Sequence, residues 1–381
     1  MLRFVWTSCA WAACQTAAGQ SSLTMWGEVD TAIANYANST RNAATGRTVT
    51  RSRNQLFEKA RLGFRGVEDL GGGISASFWL QGVIDNGYPP AMTFNEWATV
   101  SLSGPFGEIR MGLDPSPTFR NEGRADPFLE TGVGTNLLSI ANVINPRGNS
   151  GGLGGSTNYV STTDSLSYLL PPNLGGFYGH FMYAFGEEES KAGRYGGFYL
   201  GRANGPYDIS VAYGKTRALE SFPLGGSVMN EVRFSNIVGS WISGNIRLTA
   251  EFSRSRSSGR PGTEAFSIHP RDTGFRGYLV GLTLPLGVGM LHASYARLRY
   301  DRQKSIGESM GTTGRPRAEK WAIGYVHSLS RRTSLYASLS RLTNHDGTRL
   351  VWGGPDYHVG ETGQLTPKRS SAYELGIRHL F

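Results

Sequence analysis

The stretch Lys59-Ala60-Arg61-Leu62-Gly63-Phe64-Arg65-Gly66-Val67-Glu68-Asp69-Leu70-Gly71-Gly72-Gly73 decides the fold class. Ala60, Leu62 and Phe64 alternate with Lys59, Arg61, Gly63 and Arg65. A period of two belongs to a strand with one apolar and one polar face. The run then breaks into glycines, the residues that turns demand. The same period recurs outward along the chain. Leu23, Met25, Val29 and Ile33 alternate with Thr24, Trp26, Glu28 and Asp30. Trp321, Ile323 and Tyr325 alternate with Ala322 and Gly324, and Leu335, Ala337 and Leu339 with Ser334, Tyr336, Ser338 and Ser340. The chain ends with Tyr373, Leu375, Ile377, His379 and Phe381 alternating with Glu374, Gly376, Arg378 and Leu380. No helical period of any length stands out.

Composition narrows the class. Glycine supplies 52 of 381 residues, about twice ordinary usage. The most apolar stretch, 279–293, is interrupted by Thr283, Pro285, Gly287 and Gly289, so no run reaches the ~18 apolar residues of a spanning helix. Aromatics at 11% and spread throughout exclude a disordered chain. Residues 1–19 read as an export leader, with Arg3, an apolar 4–14 and the small Ala17-Ala18-Gly19 before a cut at Gln20. Both cysteines, Cys9 and Cys14, fall inside it. The mature chain, 20–381, is therefore expected to lack disulfides and thiol chemistry. Losing Arg3 lowers the formal charge from +9 to +8.

The apolar and polar faces are separated by regularly spaced links. Short links fall at 68–72, 103–107, 171–175, 203–206, 243–245, 286–289 and 329–332; long ones at 36–55, 85–92, 114–162, 186–194, 216–229, 256–274, 301–317 and 344–370. Seven short and eight long links join sixteen strands, each expected to run roughly 8–13 residues, enough to cross a bilayer. An even strand count with short turns at one end and long loops at the other is the pattern of an outer-membrane barrel. A polar face rich in Lys59, Arg61, Arg65 and Glu28 suits a wet lumen, and closure follows because lipid cannot satisfy an open sheet edge. The fold expected is all-β: a sixteen-stranded antiparallel transmembrane barrel.

Several stretches resemble the general porins of Gram-negative outer membranes, most closely the beta-proteobacterial type. They are Ser21-Ser22-Leu23-Thr24-Met25-Trp26-Gly27-Glu28-Val29-Asp30 and Ala60 through Gly73, then Phe94-Asn95-Glu96, Gly104-Pro105-Phe106-Gly107, 325–333, and Gly376-Ile377-Arg378-His379-Leu380-Phe381. The resemblance covers 20–381. It implies a homotrimer in outer-membrane lipid and lipopolysaccharide, each protomer holding a water-filled channel for small hydrophilic solutes and anions. The third long loop, here 114–162, would fold into the lumen. It also implies that Phe381 and the alternating strand from Tyr373 are read by the barrel-assembly machinery.

The constriction expected from this resemblance sets loop acids against wall bases. Arg61 stands at a family wall-arginine position, with Lys59 and Arg65 on its strand face and Arg110 beside Glu108. Asp114, Glu122, Asp126 and Glu130 are the acids of the long loop. The chain departs from the family at Leu113 and Ser167, where arginines are common, and at Leu169, where an acid is. Modest anion preference is the expected balance. No enzyme, cofactor or metal is expected: the seven histidines lack ligand spacing, no Gly-x-Ser-x-Gly stretch follows a strand as a nucleophile elbow would, and the glycine runs lack the Lys-Ser/Thr of a phosphate loop. The scattered bases argue against nucleic acid. Two other readings are a surface receptor or adhesin working through the long loops, and a barrel-embedded lipid hydrolase. The latter would need a Ser–His pair on the outer face.

Overall fold

The computed structural model describes residues 21–42, 48–85, 91–143, 158–186, 193–221, 227–259, 272–301, 316–354 and 365–381. The leader expected over 1–19 lies outside them. The first five strands are β1 (Ser22–Asn42), β2 (Thr48–Gly71), β3 (Ile74–Asp85), β4 (Ala91–Gly104) and β5 (Gly107–Pro115). After a long loop come β6 (Ser161–Leu169), β7 (Phe177–Ala184), β8 (Tyr195–Asn204), β9 (Tyr207–Ser221), β10 (Ser227–Ser243) and β11 (Ile246–Gly259). The chain finishes with β12 (Asp272–Leu286), β13 (Gly289–Tyr300), β14 (Arg317–Ser328), β15 (Thr333–His345) and β16 (Leu365–Leu380). Each strand pairs antiparallel with its chain neighbours, and β16 returns to β1, closing a sixteen-stranded barrel. The turns fall at the seven short links the sequence marks.

Some strands run longer than expected. β1 has 21 residues and β2 has 24. Beyond the apolar band both faces of these strands are polar, as in Asn38-Ser39-Thr40-Arg41. The hydrophobic alternation fades there while the backbone ladder continues, so these ends read as loop.

Closure has a visible latch. The Gly27 N–H donates to the Phe381 carbonyl at 3.1 Å, and the Phe381 N–H donates back to Gly27 at 3.0 Å. The Phe381 ring covers Gly27, and a Cβ there would fall about 2.0 Å from it. Only glycine admits that approach.

The barrel has no conventional centre. Leu23, Met25, Ile33, Val100 and Leu375 project outward and are exposed. The buried core lies instead inside the barrel, between the long loop and the wall. Leu137, Leu138 and Ala141 of the loop pack with Val238, Phe275, Leu279 and Leu298 of the wall. Each fully buried leucine contributes about 1.5–3 kcal/mol relative to a wetted one, so this contact holds the loop down.

Candidate functional site in the barrel lumen

The loop between β5 and β6 is not structureless, as its length implied. It folds as α1 (Pro117–Gly123), a 3-10 turn at Gly132–Gly134, and α2 (Leu137–Val143). Ser116 caps α1 by accepting from the Phe119 N–H at 3.2 Å, with Pro117 in the first turn. The loop lies along one half of the wall and is fastened there by hydrogen bonds. Asn236 of β10 donates to the Thr118 carbonyl at 3.0 Å, and Thr249 and Arg247 of β11 donate to the Ala125 and Arg124 carbonyls at 2.6 and 2.9 Å. Lys320 of β14 reaches the Thr135 carbonyl, Glu374 of β16 accepts from the Val133 N–H at 3.1 Å, and the Trp352 indole caps the Gly132 carbonyl at 3.0 Å. Gly277 and Gly281 leave room: a Cβ at either would strike Leu138 or Pro127 of the loop.

The open side faces β1 to β5. A space of about 440 Å³ is lined there by Arg61, Glu96 and Trp97 of the wall and by Phe119, Arg120, Leu129 and Glu130 of the loop. Arg61 donates from Nε to Glu96 at 2.9 Å, and its Nη1 sits 3.9 Å from Glu28, the residue opposite it in the ladder. Gln81 donates to the other Glu96 oxygen at 2.5 Å. Arg61 is thus braced between two carboxylates. Arg120 projects from α1 with its guanidinium 5.8 Å from the Trp97 ring centroid and pairs with Asp114. Partly exposed pairs like these contribute little stability, but they fix where the charges stand.

The other named residues have different places. Arg65 lies over the Trp79 ring at 5.5 Å and lines a separate space of about 220 Å³ with Glu108 and Arg110. The Lys59 side chain lies outside the described residues. Arg110 is held between Glu108 at 2.7 Å and Asp114 at 3.2 Å. Asp114, expected on the loop, belongs to β5 and is fully buried against Arg110 and Arg120.

Of the loop acids, Glu122 and Asp126 do not face the opening as expected, whereas Glu130 lines it. Asp126 accepts from the Phe128, Glu130 and Asn136 N–H groups at 3.0, 2.9 and 3.1 Å, so it folds the loop on itself. Glu122 is fully buried and accepts from Asn142 at 3.4 Å. Both Glu130 oxygens are shielded from solvent, and its backbone takes a left-handed φ of 58°, next to 54° at Leu129. Burial pushes the Glu122 carboxyl up to about 8, and raises those of Asp126 and Glu130 above their ordinary range. The physical reason is direction. Glu122 and Asp126 sit on the side of the loop packed against the wall, beside Asn136, which donates to Glu251 of β11 at 3.0 Å.

The charges the loop does present are basic and were not foreseen. Besides Arg120, Arg124 pairs with Asp208 of β9 and lies over the Tyr178 ring at 4.5 Å. A Ser-Pro helix start followed by two arginines four apart is the signal that could have found them.

A family model described as Gram-negative porin matches residues 6–347. The chain is 33% identical over 382 residues to outer membrane porin protein 32 of Delftia acidovorans, covering 97% of each chain. It is 24% identical to an outer membrane porin protein of Bordetella pertussis, covering 86% of this chain and 84% of that one. The solved structure of an anion-selective porin from Comamonas acidovorans superposes with a TM-score of 0.73 at 32% identity, covering 95% of this chain and all of that one. With its closed sixteen-stranded barrel and inward loop, the chain belongs to the Gram-negative porins, passive diffusion channels of the outer membrane.

Proposed function

We propose that this porin prefers anions, modestly, and that Arg61 and Arg120 set the preference from the two sides of the opening. The observation that carries this reading is the asymmetry of burial. Arg61 and Arg120 keep 21% and 24% of their side chains exposed at the opening, whereas Glu122 and Asp126 of the loop are buried at 0% and 3%. Confinement between low-dielectric walls focuses the field of whatever charge remains exposed. The preference stays modest because Glu28, Glu96 and Asp114 stand against these arginines. The similar Comamonas protein is an anion-selective porin, which supports the same sign.

The same reading takes the chain as a channel with no catalytic role, made with a leader over 1–19 and assembled as a homotrimer in lipopolysaccharide-containing outer membrane. The test is the zero-current potential of single channels in a planar bilayer under a KCl gradient. It is expected on the anion side, more so at low salt, where screening is weakest. Arg61→Ser and Arg120→Ser should each move it toward cations, Arg61→Ser further, since it strands Glu28 and Glu96. A cation-selective parent channel, or no shift in either variant, would overturn the proposal.

A further inference from the structure

A second space, of about 240 Å³, lies under the tip of the inward loop, against strands β13 to β16 and β1. Leu129 is exposed at the tip and lines both this space and the opening beside Arg61, so one side chain stands between the two. Leu129 and Glu130 hold consecutive left-handed φ angles of 54° and 58°. Residues with a Cβ disfavour that backbone, and strained positions of this kind cluster at ligand clamps. Much of the lining is apolar: Pro127, Phe128 and Leu129 of the loop, Met290 of β13 and Val326 of β14. The Phe128 ring lies over Gly324, where a Cβ would fall about 2.9 Å from it, and its centroid is 6.0 Å from that of His292. Polar groups complete the lining. Arg378 of β16 is half-buried there and stands opposite Asp30 of β1 in the ladder. Asp30 accepts from the Tyr336 hydroxyl at 2.5 Å, and Glu374 accepts from the Val133 N–H at 3.1 Å. The Arg378 guanidinium makes no ion pair or hydrogen bond among the described residues.

An apolar space with one placed cation has the makeup of a small-molecule site. Its chemistry selects the occupant. A purely apolar molecule would leave the half-buried Arg378 without a partner, and a small hydrophilic anion would leave Phe128 and Met290 wetted. A dianion would set its second charge against Asp30 and Glu374. A ring bearing one carboxylate meets every group: its face and edge suit Phe128 and the Met290 thioether, and its carboxylate suits the planar fork of Arg378, which donates two parallel hydrogen bonds. The size agrees, since a cavity of about 150 Å³ takes benzene and this one is larger by the room a carboxylate needs. We propose that the space under the loop tip is a binding site for an aromatic monocarboxylate of the benzoate class, entered from the pore past Leu129. Arg378 holds the carboxylate, and Phe128, Met290 and Val326 hold the ring. Such a site gives the channel a saturable component for aromatic acids beside free diffusion. Its side chains are distinct from Arg61 and Arg120, so it is separable from the anion preference of the opening.

The test uses the full protein in detergent, titrated calorimetrically, and in planar bilayers, where occupancy is read as added current noise. The probes are benzoate, acetate, benzyl alcohol and benzylamine. Benzoate should bind saturably, at least about tenfold more tightly than acetate or benzyl alcohol, each of which keeps only one half of the recognition. Arg378→Gln should weaken benzoate at least about tenfold, the loss of a charge-assisted pair. Met290→Trp, which fills the apolar part of the space, should weaken it as much and stands in if Arg378→Gln fails to assemble. Arg61→Ser, which alters the opening, should keep the benzoate affinity. Equal affinity for benzoate and acetate, or undiminished benzoate binding in both Arg378→Gln and Met290→Trp, would overturn the proposal. So would a loss confined to Arg61→Ser, which would put benzoate in the opening. Benzylamine binding as tightly as benzoate would also overturn it, because Asp30 and Glu374 would then be the recognising groups.

Discussion

Phe381 supplies two ladder hydrogen bonds to Gly27 and a ring that covers it, so one terminal residue joins the last strand to the first. Losing it leaves the Gly27 N–H and C=O unpaired at the seam and bares a strip of apolar surface. Deleting Phe381 is expected to cut the yield of heat-modifiable barrel at least about tenfold, since each unpaired polar group facing lipid costs several kcal/mol. Gly27→Val, which drives a side chain into the ring, should reproduce much of the loss. Unchanged heat-modifiable barrel on gels of unboiled membranes would refute the latch. Residues on strands were the ones most legible in the sequence. Parity put Arg61 and Glu28 on the lumen face, and the ladder sets them opposite each other. Parity has no meaning in a loop. Charge alone therefore places Asp126 and Glu130 at the opening; Glu130 does line it, with both oxygens shielded, whereas backbone N–H groups turn Asp126 toward the wall.

The inward loop is an element held by its own acids. Glu122 is buried where ionisation is disfavoured, and its carboxyl is raised from its ordinary 4.5 to about 8. An acid whose pKa is raised on folding binds its proton more tightly in the folded chain. Its contribution is whole below the ordinary value and drains away as pH climbs through the raised one. Asp126 and Glu130 shift in the same direction for the same reason, burial. The loop should therefore loosen progressively as pH rises from about 5 to about 9. Spontaneous closures in single-channel records are expected to become more frequent over that range, and Glu122→Gln should flatten the trend. Closure frequency independent of pH in the parent channel would rule this out. The helices of this loop escaped sequence reading because each is seven residues long, two turns, too few for a 3.6-residue period to declare itself. Ser116-Pro117 marked the start of α1, but no apolar stripe follows it.

At the scale of the whole molecule the outer face is not uniform. The most exposed apolar residues on β16, β1, β4 and β5 include Leu375 at 64%, Ile33 at 63%, Val100 at 65% and Met111 at 60%. These strands belong to one continuous flank around the closure seam. Outward aromatics such as Tyr168, Phe181, Tyr183, Tyr213, Tyr278, Tyr295 and Trp321 are more frequent on β6 to β14, where ring side chains suit a lipid boundary, although Phe78, Phe94 and Tyr373 stand on the flank itself. A flank richer in aliphatic side chains beside a more aromatic remainder suits a barrel if one side meets copies of itself and the other meets lipid. Ile33 and Leu375 are ladder partners at the middle of the aliphatic flank. Placing arginine at both should set like charges into each seam of a trimer, while the ladder that closes each barrel keeps its backbone hydrogen bonds. The parent, unheated, is expected to sediment at three times the chain mass after correction for detergent, and I33R/L375R at one. A matched pair on the opposite side, I237R/Y278R, should leave the trimer intact. A monomeric parent would refute the assembly. A trimeric I33R/L375R would move the seam off this flank.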